Sequence, residues 1–139
     1  ADLGCGGGFP GLVVAMMRPE LSVHLVESDE RKCQFMRTVV RETGLSNVTI
    51  HTKRIEHAYD DVAPDFITAR ALASLKELLI YCMPWVEKNP DLGFAFMKGM
   101  RADEEIAEAQ ENTLFEYENY GSITDKHARI VVLKNVRAP

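Results

Sequence analysis

The residues best suited to ligand chemistry lie in the first eleven positions, which read ADLGCGGGFPG. Five glycines fall within positions 4–11 and follow the acidic Asp2. Glycine lets a ligand approach the main chain closely, although each glycine costs roughly 0.5–1 kcal/mol of conformational entropy relative to alanine. Because so many glycines follow what looks like the end of a strand, we predict a ligand-binding loop, with a purely structural turn as the alternative.

The loop is compatible with two kinds of ligand. Gly6 to Gly11 match the pattern G-x-G-x-x-G, and Glu27 follows at about the distance of a ribose-binding acid, as in NAD-binding proteins. Asp2 favours another ligand, because a carboxylate ~5 Å from a pyrophosphate would oppose its binding by about 3 kcal/mol at an effective dielectric constant near 20. S-adenosylmethionine (SAM) has no phosphate, and its ammonium and sulfonium groups are cationic. We therefore predict SAM, with a nicotinamide dinucleotide as the competitor.

The elements that must position this loop follow from the alternation of apolar and amphipathic segments. Strands are predicted at 1–3, 22–27, 48–51, 65–69, 93–97, 115–120 and 128–133, and helices at 10–17, 31–43, 75–86 and 102–112. The alternation predicts an α/β fold with a mostly parallel, Rossmann-like sheet, helices on both faces and an antiparallel C-terminal strand pair. Ligands bind beyond the carboxyl ends of the strands in such sheets. The candidate residues lie at these ends, at 2–8, Glu27, 54–56, Arg70 and Lys98.

Two helices give more specific predictions about the core. The helix at 31–43 has an apolar face that comprises Phe35, Met36, Val39 and Val40, and its opposite face carries Arg37 and Arg41. In the helix at 75–86, Tyr81 and Trp85 are four residues apart, so we predict that both are buried.

Composition defines the class of protein. The 139 residues carry a formal net charge of −5, which argues against a generally basic nucleic-acid surface but not against a local cationic patch. Three widely spaced cysteines, and four histidines without metal-ligand spacing, indicate free thiols and no metal. No stretch approaches the ~18 apolar residues of a membrane span, and no signal peptide is visible. We predict one cytoplasmic domain over residues 1–139, with no membrane partner and a monomer favoured.

Five motifs occur in a fixed order along the chain: DLGCGGGFPG, LVES, RIE, ITARALASL and FMKG. In this order and spacing they resemble the glucose-inhibited division protein B family, the guanine-N7 methyltransferases of small-subunit (16S) ribosomal RNA. The glycine loop is common to most class I methyltransferases, whereas residues 70–75 and 97–99 are more specific. The resemblance extends from residue 1 to about residue 136.

The resemblance implies a class I SAM-dependent methyltransferase fold and a set of cofactor contacts. Glu27 would hold the ribose hydroxyls, and Arg70 would close the pocket. With Asp2, the expected cofactor-binding residues are Gly4, Gly6, Gly8, Phe9, Glu27, Ser28, Ile55, Glu56 and Arg70, of which Ile55 and Glu56 would flank the adenine. Glu27 as a plain surface acid and Glu56 as a helix cap are the alternatives. The family has a longer segment before the loop, so we expect that an N-terminal segment is missing here.

Methylation at guanine N7 requires little acid or base catalysis by the protein. Guanine N7 already has a lone pair, so the protein must mainly align N7 with the methyl group. Lys98 and Arg70 follow strand ends, and we predict that they orient the guanine or its phosphate. The alternatives are a solvated cation for Lys98 and an ion pair with Glu56 or Asp65 for Arg70. Lys126 and Arg129 are weaker candidates for contacts with RNA phosphates.

Three other functions stay open on the sequence. They are a SAM-dependent methyltransferase of a small molecule, an NAD-binding oxidoreductase module, and a SAM- or RNA-binding module without activity. Fold does not distinguish among them, because function depends on the site. Asp2 and the lack of a hydride-transfer residue oppose the NAD reading, and the two specific motifs favour ribosomal RNA as partner.

Overall fold

The structure, a computed structural model, describes residues 1–70 and 72–139. Ala71, which belongs to the motif at 70–75, lies outside the described residues. The helices are α1 (Gly11–Met17), α2 (Glu30–Thr43), α3 (Leu75–Lys88) and α4 (Ala102–Gln110), and a 3₁₀ turn covers Ile55–His57. The strands are β1 (Asp2–Leu3), β2 (Val23–Glu27), β3 (Val48–Thr52), β4 (Phe66–Arg70), β5 (Gly93–Lys98), β6 (Leu114–Gly121) and β7 (Arg129–Arg137).

The sheet has the strand order β3-β2-β1-β4-β5-β7-β6. β1 pairs in parallel with β2 and β4, and β2 pairs in parallel with β3. β7 pairs antiparallel with both β5 and β6. The predicted α/β sheet, mostly parallel with an antiparallel C-terminal pair, is therefore confirmed. Each predicted element is present, and the ends shift by one to a few residues, as expected where helices and strands fray.

The chain divides into two compact units. Unit 1 comprises residues 1–63 and 68–70, and unit 2 comprises residues 64–67 and 72–139. β4 therefore contributes residues to both units.

The core of unit 1 lies between β2 and the two helices that pack on it. Its buried side chains are Cys5, Leu12, Ala15, Val23, Leu25, Cys33 and Met36. Asp29 caps α2 by accepting the N–H groups of Arg31 and Lys32, and Gly44, with φ of 67°, ends the helix.

The predicted apolar face of α2 is wrong at Phe35, whose side chain is 55% exposed. The buried residues are Cys33 and Met36, and Val40 packs beside them. Residues 33, 36 and 40 follow the i, i+3, i+7 spacing of one helix stripe. Phe35 lies about 100° around the helix from Met36, which takes it off this stripe.

The core of unit 2 combines α3, α4 and the aromatic face of β5. Phe94 and Phe96 are fully buried and lie opposite Leu133 and Val131 of β7. α3 begins with a capping box in which Ser74 accepts the N–H of Glu77 and Glu77 accepts the N–H of Ser74.

The prediction for the aromatic pair of α3 is half right. Trp85 is buried, but Tyr81 is 37% exposed. The buried stripe of α3 runs through Leu75, Leu78, Leu79, Cys82, Trp85 and Val86. Tyr81 lies at the edge of that stripe, where its ring is only partly covered.

Candidate functional site

The glycine loop turns sharply between β1 and α1. Gly4, Gly6 and Gly8 all have positive φ, at 60°, 53° and 91°. The turn is closed by the N–H of Gly8, which donates to the carbonyl of Cys5 at 2.8 Å. Apart from its chain neighbours, no described heavy atom lies within 4 Å of a Cβ built on Gly6. The backbone of the loop is therefore open to a ligand at Gly6.

Asp2 lies beneath the loop. Its side chain is only 1% exposed, and its Oδ2 accepts the N–H of Gly11 at 2.8 Å while its Oδ1 accepts the hydroxyl of Thr68 at 2.9 Å. Burial raises the pKa of this carboxyl to about 6, although both hydrogen bonds act in the opposite direction. The sequence predicted Asp2 as a cofactor-binding residue beside the loop. In the structure its carboxyl is buried and joins β1, β4 and the start of α1.

Gly11 makes this arrangement possible by its lack of a side chain. A Cβ at this position would lie 2.4 Å from Leu25 Cδ2 and 2.8 Å from Asp2 Oδ2. Both distances are shorter than carbon and oxygen atoms tolerate. Gly11 is therefore required because α1 begins in close contact with β1 and β2.

Glu27 ends β2 beside the loop. Its Oε1 accepts the N–H of Gly6 at 2.9 Å, and its Oε2 accepts the N–H of Asp29 at 2.9 Å. The side chain is 8% exposed. A carboxylate offers about four acceptor positions, so two remain for a ligand. These contacts fix the carboxylate between the glycine loop and the start of α2, and Ser28 follows it in an exposed position.

The segment after β3 is joined to the same site. The N–H of Lys53 donates to the carbonyl of Glu27 at 3.1 Å. The 3₁₀ turn follows directly, with Ile55 half-buried and Glu56 exposed. Ile55 and Glu56 therefore follow closely in sequence after Lys53, whose N–H binds the carbonyl of Glu27.

Phe9 and Arg70 form a pair at the surface of unit 1. The guanidinium carbon of Arg70 lies 5.9 Å from the centroid of the Phe9 ring, which is within cation–π range. Phe9 is 52% exposed, and Arg70, at the end of β4, is also exposed. Among the described residues, Arg70 contacts this ring, its charge acts to lower the pKa of Asp2, and no ion pair with Glu56 or Asp65 is found.

Lys98, at the end of β5, lies in unit 2 and is not a solvated cation. Its side chain is 6% exposed, its Nζ donates to the carbonyl of Ala73 at 2.6 Å, and it forms an ion pair with Glu105 Oε1 at 3.1 Å. The same Glu105 oxygen accepts the N–H of Leu75 at 2.9 Å. Lys98 and Glu105 together therefore join the end of β5, the start of α3 and the first turn of α4.

The structure adds two polar residues that the sequence did not single out. Thr68 pairs with Asp2 in the register of β4 and β1, and Glu105 partners Lys98. Thr68 could have been found by aligning the two predicted parallel strands at their ends. Glu105 sits in a run of acids, Asp103 to Glu105, in which only tertiary packing distinguishes one carboxylate from the next.

Three features of the described residues concern metal ligation, cysteine state and helix hydrophobicity. Residues 1–70 and 72–139 contain no group of three or more histidine, cysteine or acidic side chains that could hold a metal ion. The three cysteines are free and buried, and burial raises the pKa of Cys5 and of Cys82 to about 12. None of the described helices has the length and hydrophobicity needed to cross a bilayer.

The sequence matches a known protein family over most of its length. The family model described as "GidB: rRNA small subunit methyltransferase G" matches residues 1–133. The chain belongs to the GidB family. A GidB-family relative, Ribosomal RNA small subunit methyltransferase G of Parvibaculum lavamentivorans, is 42% identical over 142 residues, which cover 99% of this chain and 62% of the relative. The protein of the same name from Paracoccus denitrificans is 41% identical, with 98% of this chain and 69% of the relative covered. The chain thus spans about three fifths of the length of the first of these GidB relatives.

Solved structures show the fold of this GidB-family chain. A SAM-dependent methyltransferase from Aquifex aeolicus matches with a TM-score of 0.73 at 15% identity, over 95% of this chain and 79% of that protein. A Precorrin-6y C5,15-methyltransferase from Geobacter metallireducens matches with a TM-score of 0.70 at 14% identity, over 96% of this chain and 77% of that protein. At these identities the likeness establishes the fold, which is that of class I SAM-dependent methyltransferases.

Proposed function

We propose that this chain carries the SAM site of an enzyme that methylates N7 of a guanine in small-subunit ribosomal RNA. The observation that carries the proposal is the fixed carboxylate of Glu27 between the N–H groups of Gly6 and Asp29, at the mouth of the glycine loop. The named relatives are ribosomal RNA small subunit methyltransferases, which supports the RNA as acceptor. Action on ribosomal RNA goes with a cytoplasmic location.

The described residues fit SAM on three grounds. The backbone is open at Gly6, the acceptor positions that remain on Glu27 suit a pair of ribose hydroxyls, and Asp2 places a negative charge beneath the loop. The residues proposed to hold the cofactor are Gly4, Gly6, Gly8, Phe9, Glu27, Ser28, Ile55, Glu56 and Arg70. Bound SAM supplies a methyl group on a cationic sulfur.

Asp2 contributes through its field rather than by contact. Its carboxyl has a pKa of about 6 and is mostly ionised at pH 7. A buried charge attracts a cationic ligand more strongly than an exposed one, because the effective dielectric constant is lower. The same charge opposes the pyrophosphate of a dinucleotide, so Asp2 favours SAM over NAD.

Phe9 and Arg70 are proposed to cover the bound cofactor. Both side chains are exposed and in contact with each other. Phe9 lies in the glycine loop after β1, and Arg70 is the last residue of β4. An aromatic ring next to a guanidinium offers apolar surface and hydrogen-bond donors together. Arg70 is proposed to orient the acceptor phosphate or base from this position.

For the acceptor, the chain needs residues that orient rather than residues that remove a proton. Guanine N7 has a free lone pair, so correct placement lowers the barrier without a general base. Lys98 is proposed as an orienting residue, and its pairing with Glu105 fixes the position of its ammonium group. Neither Lys98 nor Arg70 is proposed to transfer a proton.

The proposal is tested with protein produced from its complete gene. We expect labelled methyl from SAM to enter small-subunit RNA that lacks the modification, and mapping to place it on N7 of one guanine. Methyl transfer to small molecules but not to RNA would show that the acceptor is a small molecule and not ribosomal RNA. Calorimetry that shows tight NAD binding without SAM binding would overturn the cofactor assignment.

A further inference from the structure

A cleft of about 360 Å³ opens in unit 2 beside the Lys98–Glu105 ion pair. Its lining includes the apolar Leu72 and Met97 and the charged Lys98, Arg101, Glu105 and Glu108. A volume of this size, with apolar walls and a few fixed polar groups, is typical of small-ligand sites. Residues 72–74, which contribute to the lining, follow β4 in the sequence.

The polar groups of the cleft are held rigidly but are not saturated. Oε1 of Glu105 accepts the N–H of Leu75 and the ammonium of Lys98, and among the described residues no contact to Oε2 is seen, so this oxygen offers two acceptor positions. Within the described part of the chain, Lys98 uses two of its three donors, on Ala73 and Glu105, which leaves the third for a ligand. The pair thus presents acceptor positions beside a donor, at a site whose side chains are 15% and 6% exposed.

We propose that this cleft binds the Watson–Crick edge of the acceptor guanine, with Glu105 as the residue that selects guanine. This inference rests on the proposed function. Guanine presents N1–H and an N2 amine as donors next to the O6 acceptor, which matches Oε2 of Glu105 and the remaining donor of Lys98. Adenine presents an acceptor at N1 and a donor at N6, so both contacts would be mismatched. Reading a base on its Watson–Crick edge is usual in enzymes that modify bases.

Two consequences of this arrangement suit methylation at N7. N7 lies on the other edge of the guanine, so binding the Watson–Crick edge leaves its lone pair free. The N7-methylated base is cationic, and the nearby carboxylate of Glu105 stabilises that charge. Leu72 and Met97 supply apolar surface for the faces of the ring.

A binding experiment tests the cleft without requiring methyl transfer. Protein labelled with ¹³C at its methionine methyl groups is titrated with GMP, IMP and AMP, and the Met97 signal reports on the cleft. We expect GMP to bind about 10-fold or more tightly than AMP, and IMP, which lacks the N2 amine, to fall between them. No Met97 shift with GMP, or equal affinities for GMP and AMP, would overturn the proposal.

A transfer experiment then separates recognition from structure. Glu105→Gln keeps an acceptor for Leu75 but loses the charge, and we expect kcat/KM for RNA to fall about 10- to 100-fold with SAM affinity unchanged. Glu111→Gln, which alters an exposed acid just after the end of α4 and outside the cleft lining, is the matched control and should keep full activity. RNA with inosine at the target should be a poorer substrate for the parent protein and no worse than guanine for E105Q. If E105Q and the replacement of guanine by inosine had independent, additive effects on kcat/KM, Glu105 would not be the residue that selects guanine.

Folding and function are kept apart by a double variant and by the two readouts. If E105Q unfolds, Lys98→Met with Glu105→Gln removes both charges at similar volume and should fold while losing the preference for GMP. Glu105-dependent binding of GMP without any RNA methylation would refute the proposed function and leave the cleft assignment standing. RNA methylation at guanine N7 with no preference of the cleft for GMP would refute the cleft assignment alone.

Discussion

Asp2 Oδ2 accepts the backbone N–H of Gly11 at 2.8 Å, and this bond joins β1 to the start of α1 across the glycine loop. The carboxyl group that makes the bond is buried, which raises its pKa to about 6 from 3.8. An acid that is harder to ionise in the folded protein destabilises the fold once it is ionised. The chain therefore retains a costly charge beneath its loop, which fits a ligand that is positively charged.

Asp2→Asn tests this cost. The unfolded chain releases the proton near pH 3.8 and the folded chain near pH 6, so stability falls as pH rises through this window. At 1.36 kcal/mol per pKa unit, the ionised carboxyl costs up to about 3 kcal/mol above pH 6. D2N should therefore unfold at higher denaturant concentration than the parent at pH 7.5, with the difference shrinking toward pH 4.

The same variant should bind SAM more weakly despite its higher stability. Its amide preserves an acceptor for Gly11 but carries no charge to attract the cationic ligand. Calorimetry at pH 7.5 measures the affinity, with Glu20→Asn, a change of an exposed acid, as the control. Unchanged affinity in D2N would mean that the buried charge serves the fold alone.

Gly11→Ala should destabilise unit 1 by about 1–3 kcal/mol, because its new Cβ meets Leu25 and Asp2 at distances below 3.0 Å. Gly7→Ala is the matched control in the same loop, since its Cβ would meet Phe9 at 3.9 Å, an ordinary contact. Denaturant unfolding monitored by circular dichroism gives both values. Equal stability of G11A and G7A would contradict the close packing of α1 on β1 and β2.

The parts of this fold that could be predicted are those that depend on neighbours in sequence. Apolar runs indicated the strands, and the predicted helix end at residue 43 is the observed end of α2. The position of Glu27 at the end of β2 was also predictable, because strand ends of a parallel sheet gather at one edge. Of its two backbone partners, Asp29 lies in the turn into α2, whereas Gly6 belongs to the glycine loop, which is distant in sequence.

The rest depended on packing between segments distant in sequence. Asp103, Glu104 and Glu105 all lie in the first turn of α4, where negative charge suits the helix dipole, and the sequence does not distinguish them. In the structure Glu105 alone of these pairs with the buried Lys98, because the position of α4 relative to β5 decides which side chain turns inward. Phe35 was misplaced for a similar reason, since α2 buries a narrower stripe than its apolar residues suggest.

Lys98→Ala should lower stability by up to about 3 kcal/mol, because it leaves Glu105 with a largely buried charge and no cation. Loss of activity in this variant is therefore not by itself evidence for contact with the acceptor. Lys98→Met combined with Glu105→Gln should recover most of the stability. Thermal unfolding of the three proteins checks this, and a double variant less stable than K98A would contradict a balanced ion pair.

Glu27→Gln should weaken SAM binding about 10-fold or more, since glutamine can accept from only one of the two N–H groups that hold Glu27 and loses the charge. Glu30→Gln changes an exposed acid three residues further on and is the control. Calorimetric titration with SAM measures both affinities. Equal SAM affinities of E27Q and E30Q would mean that Glu27 fixes the conformation of the loop and does not bind the ribose.

His24 and His51 couple β2 to β3 in a way that depends on pH. His24 Nδ1 lies 2.9 Å from His51 Nε2, and the stacked rings have centroids 5.1 Å apart. Partial burial lowers the pKa of both, and Lys53 further lowers that of His51, while Asp61 opposes it. Because the folded pKa values lie below the unfolded value of 6.5, the pair supports the fold fully above that pH and less as pH falls below it.

His51→Gln should therefore make the stability of the fold less dependent on pH below about 6.5. The melting temperature of the parent, taken relative to that of H51Q at the same pH, is expected to fall between pH 7.5 and pH 5. His127→Gln, in the exposed turn between β6 and β7, is the control and should follow the parent. Asp2 titrates in the same range with the opposite sign, but it does so equally in all three proteins, so their differences isolate the histidine pair. Parallel curves for H51Q and the parent would show that protonation of the pair does not oppose folding.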